Sequence, residues 1–334
     1  MKFGSVPLAQ AKGAILAHAT AAVDGDDPNG GARRIPKGTV LTDAHVRALA
    51  NAGVASVIAA RLEPGDVAED AAARRLARAA MGAGLAAGDA GTGRVNLRAT
   101  HPGIVELDAA AIDAANRVDA GITLATVAPW TRMGRGGLAA TIKIIPFAVP
   151  EAALVRACDL VAAAVALRPP TVAAATLIET RVGPDVPPDK GRRAMAGRLG
   201  QLDVALGDRV VVPHDADAVA DALRAAPGTL RLILTGSATC DIRDVAPEGL
   251  RRAGGEVLHY GMPVDPGNLL FLGRLGDDAV IGLPGCARSP ALNGADWVLE
   301  RVICGLSPAR IDIPGMGVGG LLKEIPSRPS PRDR

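Results

Sequence analysis

Between Leu232 and Pro290 the chain sets small-residue turns at the exits of apolar runs. Leu232-Ile233-Leu234 stops at Thr235-Gly236-Ser237-Ala238-Thr239, with Asp241 and Asp244 close behind. A second apolar run ends in Gly282-Leu283-Pro284-Gly285 and leads to Ser289, and Pro266-Gly267-Asn268 lies between the two. Glycine turns after strands expose backbone N–H groups, and in α/β sheets such exits form anion-tolerant pockets. Thr235, Ser237, Thr239 and Ser289 add hydroxyl donors. Glu179-Thr180, at the end of an earlier apolar run, supplies a third exit. Gly236, Gly282 and Gly285 are expected to leave room for a ligand where a Cβ would intrude. Asp244 is the carboxylate placed to orient a metal or a transferring group.

Alternating elements must carry these turns. The pattern predicts strands over Thr171–Ile178, Arg209–Pro213, Leu230–Thr235 and Ala279–Gly282, with two more near Val257 and Leu269–Leu272. It predicts helices over Gly191–Leu206, Ala216–Ala225, Pro247–Ala253 and Ser289–Ile303, with another over Glu151–Ala166. Such alternation implies a three-layer α/β/α domain with a mostly parallel sheet over residues 151–310. Residues 1–150 read as a smaller α+β lobe. In it Ala21–Gly38 is a loop, Thr42 caps a helix that Asn51-Ala52-Gly53 ends, and Ala68–Leu85 is helical. Trp130–Gly137 is a basic, Gly-rich, mobile-looking turn. Residues 311–334 read as a tail whose Pro- and charge-rich end, Glu324–Arg334, frays.

The order of these turns resembles the molybdopterin-binding domain of the molybdopterin molybdenumtransferases. In that family a Thr or Ser is followed by two Gly, a small apolar residue, Ser, and an Asp five residues on. Thr235, Gly236, Ala238, Thr239 and Asp244 match, while Ser237 replaces the second Gly. The family's Pro-Gly-Lys-Pro turn appears as Pro266-Gly267-Asn268-Leu269, without its lysine. Its Gly-Leu-Pro-Gly-Asn-Pro turn appears as Gly282 to Ala287 with Cys286-Ala287 in place of Asn-Pro, and Ser289 is kept. The segment Lys37-Gly38-Thr39-Val40-Leu41-Thr42 is similar to the lead-in before that domain.

The resemblance implies a cytoplasmic protein of molybdenum cofactor biosynthesis that binds molybdopterin or its adenylylated form, with molybdate and Mg as accompanying ions. It implies a molybdenumtransferase-like transferase inserting molybdate, with Asp244 catalytic. The implied binding residues are Glu179, Thr235, Gly236, Ser237, Ala238, Thr239, Pro266, Gly267, Asn268, Gly282, Pro284, Gly285 and Ser289. The missing lysine and Asn-Pro open a second reading, a non-catalytic carrier or a helper in nucleotide attachment or delivery. Other cofactor-maturation proteins, a molybdoenzyme and further copies of the chain are the partners implied. Arg243 or Arg288 is the cation expected to compensate for the missing lysine. The same residues also admit structural roles: Gly-Leu-Pro-Gly as a plain turn, and Asp241 and Asp244 as caps of the Pro247 helix.

Bulk properties narrow the field. Of the 334 residues 49% are hydrophobic and only 2% aromatic, so the core is aliphatic. A net charge of +2 argues against a nucleic-acid or membrane surface. The four cysteines and five histidines are scattered without CxxC or HxxxH spacing, which signals neither a disulfide framework nor a zinc site. Val155–Leu167, the most apolar run, is too short and too interrupted to span a bilayer. No GxGxxG follows the first strand of the α/β part, which counts against a generic dinucleotide enzyme.

Overall fold

The computed structural model describes residues 1–24 and 32–322. Two compact units emerge. The first comprises Met1–Thr100, Glu106–Pro129 and Gly136–Leu167; the second takes His101–Val105, Trp130–Arg135 and the chain from Arg168 onward. The helix Glu151–Leu160 and the residues through Leu167, grouped by sequence with the α/β part, lie in the first unit.

In the first unit Ser56–Arg61 pairs antiparallel with both Lys2–Pro7 and Ile15–Leu16. The helix Asp43–Asn51 packs its buried Leu49 with Leu16, Leu41 and Val57. Thr42 caps it as expected: its side chain accepts the His45 N–H while His45 Nδ1 accepts the Thr42 N–H. The expected loop over Ala21–Gly38 is instead largely a hairpin, with Thr20–Val23 antiparallel to Ala32–Ile35. Its Gly- and Asp-rich centre, residues 25–31, lies outside the described residues. A four-stranded antiparallel sheet, ordered Ile122–Thr126, Leu138–Ile144, Arg94–Ala99, Leu85–Ala87, carries the helix Glu69–Ala80 on one side. That helix stops five residues earlier than the periodicity implies, and Leu85 begins a strand.

The second unit holds a seven-stranded mixed sheet. Its order is Ala205–Leu206, Ala174–Arg181, Leu230–Leu234, Asp278–Leu283, Phe271–Leu275, Glu256–Tyr260, with Val210–Pro213 pairing Ala174–Arg181 farther along. Pairings from Ala205–Leu206 through Asp278–Leu283 are parallel; the last two strands run antiparallel. The parallel strands bury both faces, so their sequences are continuous apolar runs. Side chains alternate between faces. Leu177, Leu232 and Ile281 join Met195 and Leu199 of the helix Lys190–Gly200 and Val298 and Val302 of the helix Gly294–Ile303 in one core. Ile178, Ile233 and Val280 pack with Val219, Leu223 and Leu250 of the helices Ala216–Ala225 and Val245–Arg252 in another.

Residues beyond 310 contribute to the first of these cores through Ile311, Ile313, Met316 and Leu322. The expected fraying of Glu324–Arg334 concerns residues outside the described ones. Trp130–Gly137 is anchored where a mobile turn is expected. Arg132–Met133 pairs with Gly103–Ile104, and the Trp130 ring lies 5.5 Å from the Arg301 guanidinium. Among the described residues no helix is long and apolar enough to cross a membrane.

Candidate functional site

Strand register brings three exits together. Glu179 stands beside Leu234, and Leu234 beside Leu283, on adjacent parallel strands. Thr180, Thr235 and Pro284 therefore leave the sheet side by side. Pro266-Gly267-Asn268 reaches the same edge, because Phe271, just after it, pairs with Gly282. The Gly294 N–H donates to Pro266 O at 2.8 Å, and a Cβ on Gly267 would lie 2.9 Å from the Gly294 backbone. Gly267 (φ +148°) is required by that close approach.

The Thr235–Asp244 turn is held by short-range hydrogen bonds. Thr235 Oγ1 donates to Ser237 O at 2.5 Å, and the Gly236 N–H donates to Thr180 Oγ1 at 2.7 Å. Thr180 Oγ1 also lies 2.8 Å from His214 Nδ1. Asp244 accepts the Cys240 N–H on one carboxylate oxygen (3.0 Å) and the Val245 N–H on the other (2.7 Å), which makes it the cap of the helix Val245–Arg252. Among the described residues the N–H groups of Ser237, Ala238 and Thr239 have no protein acceptor. Tyr260 Oη donates to Thr239 O at 3.0 Å and pins the turn from the far strand.

The Gly282–Ser289 turn is braced from behind. Arg198 donates to the carbonyls of Ala287 (2.9 Å), Ser289 (2.8 Å) and Ala291 (2.9 Å), and also to the Asp296 carboxylate. The helix expected from Ser289 starts only at Gly294. Pro290 forces Ser289 into an extended backbone (ψ 145°), Gly285–Arg288 forms a 3-10 turn, and Asn293 with Asp296 makes the capping box. The Asn293 amide also donates to Cys286 Sγ at 3.0 Å.

Two site glycines serve different purposes. A Cβ on Gly282 would sit 1.9 Å from the Phe271 ring, so this glycine makes room for Phe271; the expectation that it makes room for a ligand is corrected. A Cβ on Gly285 would meet only Arg288 Nη1, at 3.5 Å, with open space otherwise. Gly236 passes close to Thr180 O, 2.8 Å from where its Cβ would be. Glu179 is buried and receives two hydrogen bonds from Arg209, at 2.8 and 3.2 Å, so it braces the edge as half of an ion pair. Asn268 is exposed, with its amide 3.4 Å from Met262 O.

Of the two cations considered as lysine replacements, Arg243 is paired with Asp241 in solvent, and that hydrogen bond holds the Asp241 carboxyl below its usual range. Arg288 is half-buried and donates from Nη2 to Thr235 O, which links the two turns. Burial lowers the pKa of its guanidinium. The sequence marks Thr180 as part of a strand exit without its hydrogen-bonding role, and gives no sign of His214 or Arg198. Thr180 was readable as a polar residue ending an apolar strand; Arg198 had no local signal.

Behind the braced turn lies a cavity of about 240 Å³ lined by Arg132, Arg198, Asp296 and Glu300 among apolar side chains. Arg132 Nε donates to Glu300 Oε1 at 2.7 Å. Burial nevertheless pushes the Glu300 carboxyl up to about 7, the Arg132 contact opposing it. Among the described residues no three His, Cys, Asp or Glu side chains converge to hold a metal ion.

A family model described as a domain of unknown function (DUF8806) matches residues 5–61. No curated protein sequence matches the chain. Among solved structures, a molybdopterin biosynthesis moea protein from Pyrococcus horikosii is similar at 14% identity and TM-score 0.30, over 93% of this chain and 76% of that one. A molybdenum cofactor biosynthesis protein from Pyrococcus furiosus is similar at 13% identity and TM-score 0.26, over 93% and 67%. A molybdenum cofactor biosynthesis protein B gives 14% and 0.27, over 40% of this chain and 88% of that one. TM-scores of this size do not establish a shared fold.

Proposed function

We propose that the second unit is a three-layer molybdopterin-binding domain and that the protein acts in molybdenum cofactor biosynthesis, taking molybdopterin or its adenylylated form at the edge formed by Thr235–Thr239, Pro266–Asn268 and Pro284–Ser289. The observation that carries this reading is the register that sets Glu179, Leu234 and Leu283 abreast, so that motifs resembling the family's turns meet at one edge. The free N–H groups of Ser237, Ala238 and Thr239 would donate to ligand oxygens, and the open space beside Gly285 would admit the ring system. Titration of the protein with molybdopterin tests this: saturable binding at micromolar concentration is expected, and its absence would sink the reading.

The engagement of both Asp244 oxygens by backbone N–H groups favours the carrier or delivery role over molybdate insertion. Molybdopterin bound without molybdate-dependent turnover is the outcome this predicts. Metal insertion by the purified protein would instead restore Asp244 as a catalytic candidate.

A further inference from the structure

A half-buried guanidinium ordinarily has a carboxylate beside it, because desolvating an unpaired charge is costly. The second unit follows that rule at Arg198 with Asp296, Arg209 with Glu179, Arg231 with Asp278 and Arg132 with Glu300. Arg288 departs from it, as do Arg192, which donates to Gly207 O, and Arg301, which donates to Trp297 O beside the Trp130 ring; of these three only Arg288 donates to the turns at the sheet edge. Among the described residues it has no carboxylate partner and meets only the carbonyls of Thr235 and, at 3.5 Å, Gly285. Its nearest acid by electrostatic influence, Glu179, is already held by Arg209.

Placement gives this unpaired cation a use. Gly191, in the first turn of the helix Lys190–Gly200, lies under the Arg288 side chain, where a Cβ would come within 3.2 Å of Cγ. The side chain is thereby laid across the sheet edge, from the Gly285 turn to the Thr235 turn. The open space beside Gly285 has Arg288 Nη1 as its one near neighbour. The Thr235 turn that Arg288 bonds also carries the unpaired N–H groups of Ser237, Ala238 and Thr239.

We propose that Arg288 is the specificity-determining cation of this site, and that it selects ligands carrying a phosphate monoester seated between the Gly285 and Thr235 turns. The assignment rests on the ligand site proposed above and names the group that reads the ligand's charge. A guanidinium suits this task because its planar fork offers two parallel donors to phosphate oxygens. Asn268 can donate a hydrogen bond but brings no charge.

The test uses the full chain with inorganic phosphate as probe, following the Arg288 Nε resonance in wild type and measuring affinity in R288Q, R288K and R243Q. Phosphate is expected to shift the Arg288 resonance saturably. R288Q should weaken phosphate binding by about tenfold or more, R288K by less, and R243Q should bind as wild type does. Undiminished binding by R288Q, or a wild-type resonance that phosphate leaves in place, overturns the proposal. Should R288Q fail to fold, the wild-type resonance decides alone. Molybdopterin binding with no response at Arg288 would overturn this assignment and leave the proposed function standing. Phosphate binding at Arg288 without molybdopterin binding would support the assignment and overturn the proposed function.

Discussion

The two turns that flank Arg288 are stabilised by opposite means. Gly282–Ser289 is held by ionic groups from other elements: Arg198 reaches two of its carbonyls, that of Ala291 just beyond it and the Asp296 carboxylate, and Glu300, on the same helix as Asp296, is paired with Arg132. Thr235–Asp244 is held mainly by neutral or local bonds through Thr180, Thr235 and its own cap, Asp244. A turn braced by distant buried charges is coupled to the whole unit and to pH. A turn tied mainly by neutral bonds and its own cap depends less on distant charge.

The largest effect should come from removing the brace. Arg198→Ala leaves the buried Asp296 carboxylate uncompensated and frees three carbonyls, so a loss of about 3–5 kcal/mol is expected in denaturant unfolding. A loss below about 1 kcal/mol would erase the contrast between the turns.

Glu300 sharpens the ionic side. Its folded pKa of about 7 exceeds the ordinary 4.5, so the native state holds this proton more tightly than the unfolded chain does. The contribution is favourable below the unfolded value, and stability falls as pH rises from there to about 7, then levels. Its full span is about 3 kcal/mol. Glu300→Gln should flatten that part of a pH series of urea unfolding curves; an unchanged slope would remove Glu300 as its source.

On the neutral side, Thr180→Val deprives the Gly236 N–H of its acceptor and should cost about 1–2 kcal/mol. Smallest of all is Asp244→Asn, which keeps one capping oxygen but turns its amide NH2 toward the other N–H, so a loss of about 1 kcal/mol is expected. A thermal midpoint that drops sharply in this variant would mean that the turn depends on charge after all.

The same contrast explains what could be read from the sequence. Strand and helix order in the α/β part was legible because strands buried on both faces write themselves as unbroken apolar runs, as in Leu230–Leu234. The Thr42 cap was legible because a capping signal is local. The Asp244 cap is local in the same sense, and the sequence shows the capping alternative for Asp244. Arg198 was not, since its acceptors lie 89 to 98 positions away. Gly282 misled because a missing Cβ signals only that something comes close. That the neighbour is Phe271 depends on a pairing register that no short motif encodes. Pro290 delays the helix start to Gly294, and the pairing of Thr20–Val23 with Ala32–Ile35 outweighs the turn-forming residues between them.

The second unit is not one continuous piece of chain. Ile104 belongs to its core, Trp130 packs against that core, and Arg132 reaches Glu300 across 168 positions. A gene fragment opening at Arg168 would therefore encode the whole seven-stranded sheet and still lack a plug for its core and the counter-ion of Glu300. Trimming the chain to its α/β half should yield a sticky, poorly soluble product. During synthesis, the two early segments would have to wait for the helix Gly294–Ile303 before finding their place, a long-range closure of the kind that slows folding.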